Sequence, residues 1–164
     1  SDLIMNEAYS FGQTTPFLGS KEWMSLKLWF MAQHLGDAGI SKMLSERFAL
    51  AQYLHNKLSQ DNRFIVVNDC EINSVAFMYK GRENVSSVDN LNKIQDNIHT
   101  KLLKEGQYHL HHFSIPDAGK IQKGVDIRPL RFMGGNPNTK AGDIDAMIKY
   151  VVRLGNRAIE EVCV

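Results

Sequence analysis

Cysteine is scarce in this chain of 164 residues: Cys70 and Cys163 stand far apart, without Cys-x-x-Cys spacing. That argues against a disulfide framework or a structural zinc site and suits inert thiols in a reducing cytoplasm. Long apolar runs are also missing; none approaches the roughly 20 residues that span a bilayer, so no membrane segment is expected. Charge of one sign is not in excess, with 19 Lys plus Arg against 18 Asp plus Glu and a net charge of +1. With no block of like charge and no basic stripe, nothing points to nucleic acid. The phosphate-cradling patterns GxGxxG and GxxxxGK are absent, as are a Ser/His/Asp or Cys/His nucleophile arrangement and suggestively spaced paired carboxylates. The opening "SDLIMNEAYS" has no initiator Met, basic n-region or signal-like apolar run, as a processed piece of a longer chain would.

What is present is an ordinary globular composition, 43% apolar and 23% charged, at a length that supports one core. Residues 1–20 carry Gly12, Pro16 and Gly19 without sustained periodicity and read as an extended lead-in arm; residues 21–164 read as the folded domain. From Glu22 to Leu35 apolar residues crowd densely enough for a helix buried on most of its surface, stopped near Gly36. Ile40, Met43, Leu44, Phe48, Ala51, Leu54 and Leu58 recur at three- and four-residue steps, giving an amphipathic helix. "RFIVV" and "NSVAFMYK" then read as neighbouring strands.

A third helix follows on Val88, Leu91, Ile94, Ile98 and Leu102, with Gly106 to end it. "YHLHHFSI" and "DIRPLRFMGG" read as a third and a fourth strand, separated by an exposed loop, "PDAGKIQKG". The last helix has Thr139 as its expected N-cap, Asp143 and Asp145 near its positive end, and Ile144, Met147, Ile148, Val151 and Val152 on one face. The order predicts an α+β fold, a small, mostly antiparallel sheet of about four strands with helices on one face. The other sheet face needs water or a partner.

Three features invite chemistry. "HLHHF" sets His109 and His111 on one strand face and His112 on the other, so at most a two-ligand metal corner forms, and a partly exposed strand is the plainer reading. "FMGGNPNT" could receive an anion at the helix start, but Gly-Gly for unusual dihedrals and Asn-Pro for the bend favour a tight turn. Arg131 could hold a carboxylate through paired hydrogen bonds; residues alone favour a solvated arginine or a structural ion pair. Lys27 and His34, inside the first helix, read as structural.

"LGSKEWMSLKLWFMAQHLGDAGI", then "LSERFALAQYLHNKLSQDNRFIVVND", then "LRFMGGNPNTKAGDIDAMI" resemble, in that order, stretches of the group II pyridoxal phosphate-dependent amino-acid decarboxylases of the glutamate, diaminobutyrate and aspartate type. The resemblance covers about residues 17 to 155 and implies the C-terminal small domain of a fold-type I enzyme, cytoplasmic and homodimeric, with a large domain preceding it. The cofactor would be pyridoxal 5'-phosphate, carried in that family by a lysine directly after a histidine. No His-Lys pair occurs here, so no catalytic residue and no metal ligand is assigned to this chain, and alone it is expected to be inactive and without bound cofactor. Arg131, five residues before the Asn of the Asn-Pro turn, resembles the family residue that pairs with the substrate carboxylate. Gly19, Ser20 and Lys21 match the loop that approaches the cofactor phosphate, often across the dimer interface; Lys21-Glu22 stand where many members carry tandem arginines. Glutamate, aspartate, 2,4-diaminobutyrate and aromatic amino acids all stay open as substrates. The alternative is a stand-alone α+β interaction module without catalysis.

Overall fold

The computed structural model describes residues 23–82 and 87–162. They belong to two compact units, 1–40 and 41–164. Gly19, Ser20, Lys21 and the lead-in arm lie outside the described residues.

In the first unit, helix α1 (Met24–Ser59) begins and is interrupted at Gly36, whose φ of 60° and ψ of 176° are not helical. The two helices expected of the sequence are thus two helical runs parted by one glycine, the residue that adopts positive φ without strain. The first run departs from expectation in its burial: Leu28, Trp29 and Phe30 are 62, 54 and 59% exposed. Trp29 stands edge-on to Phe30, ring centroids 5.1 Å apart. Apolar composition leads to burial only where a second surface is present.

In the second unit, the remainder of α1 is followed by β1 (Phe64–Val66), β2 (Ser74–Tyr79), α2 (Val88–Glu105), β3 (His111–His112), β4 (Ile115–Pro116), β5 (Asp126–Ile127), β6 (Leu130–Met133) and α3 (Ala141–Val162). Four strands form an antiparallel sheet in the order β1-β2-β6-β3, and β4 pairs with β5 in a second, two-stranded sheet. The fold is α+β.

The register sorts side chains onto two faces, because cross-strand partners point the same way. Phe64, Val66, Val75, Phe77, Tyr79, Leu130 and Phe132 face the helices and share one core with Leu54 and Leu58 of α1, Ile94 and Ile98 of α2, and Ile144 and Val151 of α3. Ile65 and Met78 face the other way, where Leu91, Ile115, Ile121 and Ile127 join them in a smaller cluster. The second face is therefore partly covered by the chain's own β4-β5 segment rather than left to water or a partner.

Local chemistry sets the boundaries. Ser87 accepts the Asn90 N–H at 3.1 Å to start α2, and Gly106, left-handed at φ 66°, ends it by donating to the Leu102 carbonyl. At α3 the expected Thr139 cap is not used; the Asp143 carboxylate instead reaches back to the Lys140 N–H at 2.8 Å. "DIRPLRFMGG" divides into β5 and β6 because Pro129 has no N–H for a ladder. Asn92 spans the break: its side chain donates to the Asp126 carbonyl at 3.0 Å and accepts the Arg128 N–H at 2.8 Å. The loop after β4 is held by Asp117, only 3% exposed, whose carboxylate accepts the N–H groups of Lys120, Ile121 and Gln122. Its own N–H and C=O pair with Val125 and Gly124.

Helix α3 packs tightly against the sheet at Gly155. A Cβ there would lie 2.2 Å from the ring of Tyr79, which is fully buried and whose hydroxyl donates to Asn156 at 2.5 Å. Since the ring cannot swing aside, the helix would have to move. Gly155→Ala is expected to lower the unfolding free energy by about 1–3 kcal/mol, read from urea midpoints at unchanged m; an unaltered midpoint would show that the contact relaxes freely.

Candidate functional site

The candidate site lies on the sheet face turned away from the helices. Alternation along β6 sends Leu130 and Phe132 into the main core and leaves Arg131 on the opposite face, half-buried. Its cross-strand partners are Ala76 on β2 and His111 on β3. The guanidinium carbon sits 5.0 Å from the ring centroid of Phe113, a cation–π contact that holds the head group while leaving its N–H edge uncommitted. Arg131 Nε is buried and has no hydrogen-bond partner. A buried donor of this kind carries a desolvation cost that an incoming anion relieves.

The histidines divide as the alternation predicts. His109 and His111 lie together, ring centroids 5.0 Å apart, while the His112 side chain is 1% exposed on the helix side. His112 stacks on His99 of α2 at 4.9 Å between ring centroids. Its Nε2 lies 3.3 Å from Asp96 Oδ1, and the other Asp96 oxygen lies 2.6 Å from Arg128. Neither nitrogen of His112 finds an aligned hydrogen bond. Among the described residues no group of three or more His, Cys, Asp or Glu could hold a metal ion. Burial pushes both His99 and His112 down to about 4, so both rings are neutral at neutral pH. Burial also raises the Asp96 carboxyl, against the pull of Arg128.

The Gly-Gly-Asn-Pro segment is a turn, as expected, although neither Gly134 nor Gly135 takes a positive φ. It is pinned from outside: Gly134 N–H donates to the Asn73 carbonyl at 2.8 Å, and Arg47 of α1 donates to the Asn136 carbonyl. The Asn136 side chain accepts the Asn138 N–H at 2.9 Å, a side-chain-closed bend. With Asp143 and Asp145 at the helix start, this terminus does not favour an added anion.

Sequence reasoning missed Phe113 as the support of Arg131 and the burial of the His99-His112 pair. The first was open to inference, since Phe113 and His111 alternate onto one face; the second joins residues on different elements and has no local signal.

Residues 8–80 match the pyridoxal-dependent decarboxylase conserved domain. A cysteine sulfinic acid decarboxylase from Homo sapiens is 25% identical over 136 residues, which is 79% of this chain and 26% of that protein. Among solved structures, mouse CSAD in its apo form superposes with a TM-score of 0.69 at 21% identity, over 83% of this chain and 28% of that one. The glutamate decarboxylase domain of a diaminobutyrate-pyruvate transaminase and L-2,4-diaminobutyrate decarboxylase from Vibrio parahaemolyticus gives a TM-score of 0.66 at 15% identity, over 84% and 27%. Catharanthus roseus tryptophan decarboxylase in complex with L-tryptophan gives 0.64 at 18%, over 82% and 26%. The chain thus spans about a quarter of the length of these relatives.

The buried histidines generate a pH prediction. Unfolded, each ring titrates near 6.5; folded, near 4. Between those values the unfolded chain binds more protons, so stability is fully present above pH 6.5 and falls as the pH drops toward 4. Asp96, raised, opposes this near the acid end. Urea midpoints measured across this window should fall with acidification, and His99→Gln should make the fall shallower; an equal slope would contradict the assignment.

In sequence over residues 8–80, and in fold, the chain is thus similar to the pyridoxal-dependent decarboxylases.

Proposed function

We propose that this chain is the C-terminal part of a pyridoxal phosphate-dependent amino-acid decarboxylase, and that Arg131 grips the carboxylate of its substrate. The single observation that carries the reading is the Arg131 guanidinium held over Phe113 with a buried, unpartnered Nε. The substrates named for the similar proteins, a cysteine sulfinic acid, a diaminobutyrate and a tryptophan, differ in side chain and share the amino-acid carboxylate. A guanidinium suits that shared group, since its fork of donors matches two carboxylate oxygens.

Pyridoxal phosphate, when bound, supplies the ring that accepts the electron pair left as carbon dioxide departs. The described residues suit a supporting part in that chemistry. Their lysines are exposed or half-exposed, and none sits in the dry pocket that activates an amine as a nucleophile. What this chain contributes is orientation: with the carboxylate fixed on Arg131, the bond to be broken is held at one angle instead of sampling many. Gly19, Ser20 and Lys21 are proposed to offer backbone N–H groups to the cofactor phosphate, by the family resemblance of that loop. A homodimer, a preceding large domain and a cytoplasmic setting complete the proposal. In its favour are the match of residues 8–80 to the pyridoxal-dependent decarboxylase conserved domain and a cysteine usage suited to a reducing compartment. No helix among the described residues is long and apolar enough to cross a membrane.

Two measurements test this. In the complete enzyme, Arg131→Ala should reduce kcat/KM by about 2–4 kcal/mol of transition-state stabilisation, with Arg131→Lys recovering part of it; an unchanged kcat/KM would return Arg131 to a structural role. The chain by itself, mixed with pyridoxal phosphate and treated with borohydride, should show no stable adduct concentrated at one lysine. Finding one would place the cofactor-bearing residue here instead of in a preceding domain.

A further inference from the structure

We infer that His111 is a positioning residue for Arg131, taking up a proton when a carboxylate docks and so coupling capture of the anion to pH. The inference deepens the proposed reading and rests on Arg131 being the carboxylate anchor. Three observations carry it. His111 and Arg131 are direct cross-strand partners, so their side chains leave the sheet on the same face. Phe113, two residues along from His111, holds the guanidinium, which keeps the cation beside this strand instead of free in solvent. The Nε of Arg131 has no partner, so the positive charge is not already compensated by a hydrogen-bonded acid at that edge.

The charges around His111 favour one direction of response. Arg131 on β6 and His109 just before β3 both disfavour a proton on it, in addition to the cost of burial. From α2, His99 senses the same ring, with Asp96 beside it; on β2 the residue facing Arg131 is Ala76, which brings no charge. When an anion binds Arg131, the nearest cation is neutralised and the imidazole gains a carboxylate within reach, so its affinity for a proton rises. By linkage, protonation of His111 must then tighten anion binding by the same factor. The ring is exposed, which screens the coupling and keeps it modest.

The test uses propionate, which brings only a carboxylate and a short apolar tail, and histidine-labelled protein followed by NMR between pH 6 and 8.5. For the unmodified protein the dissociation constant should tighten about three- to tenfold from the alkaline to the acid end, a shift of up to about one pKa unit. The His111 ring should titrate at higher pH with propionate than without. His111→Gln should remove the slope, so that the dissociation constant no longer differs between the alkaline and the acid end, a readout that a merely structural role would not move; added salt should shrink the slope in the unmodified protein. Retention of the slope in His111→Gln, or equal weakening at both ends, overturns the inference. Arg131→Ala separates the two levels. If it abolishes binding while His111→Gln keeps the slope, only the role of His111 falls. If it leaves binding intact, the carboxylate reading of Arg131 falls with it.

Discussion

The structure of residues 41–164 depends on one buried strand end. Tyr79, at the close of β2, has its N–H and its carbonyl bonded by the side chain of Gln95, at 2.9 and 2.8 Å. Gln95 is fully buried and gives its remaining donor contact to the Leu91 carbonyl of its own helix. A carboxamide imitates a backbone group, so α2 completes the hydrogen bonding of β2 beyond the point where β6 stops pairing with it. In a dry interior such a fully satisfied polar contact fixes registry, and half-satisfied it would cost more than an apolar substitute. The tyrosine ring in turn fills the space opposite Gly155 of α3. One residue thus sets the height of α2 and the closeness of α3 above the sheet.

The rigid sheet explains why the opposite face can present chemistry. With every residue of β2 buried, β6 has no freedom to rotate, and its alternation alone decides that Arg131 emerges away from the helices. Phe113 then supports the guanidinium without satisfying its donors. The cost of leaving Nε bare is borne by the packing of Leu130 and Phe132 on either side of it, both in the main core.

Much of this was legible in the sequence, for identifiable reasons. The α2 and α3 faces follow from three- and four-residue spacing, and Gly106 ends α2 as a glycine in that place should. The opposite placement of His111 and His112 follows from the two-residue period of a strand. What was not legible depends on contacts between distant segments. The division of β5 from β6 is written in Pro129, but its stabilisation by Asn92 needs α2 in place. The start of α3 was expected at a Thr139 cap, whereas the side chain that closes it is Asp143, reaching back to the Lys140 N–H; both chemistries cap a helix. The apolar run around Trp29 shows the limit of composition: it reports what a helix prefers to touch and not whether the surface is there. The contact of Phe113 with the Arg131 guanidinium was overlooked because Phe113 reads as an ordinary strand aromatic.

The turn around Asp117 has a consequence for how such a domain can change over time. Its donors and acceptors are closed within residues 117–125, by the aspartate side chain and by the paired backbone groups at its mouth. Ile121 rests on the small cluster, and the hydrogen bonds just described begin and end within the loop itself. Lengthening it would add only the slowly growing entropy of closing a larger ring, about 0.6 kcal/mol per doubling. That makes it a place where residues can be inserted while the strands that flank it, and Arg131 beyond them, keep their alignment.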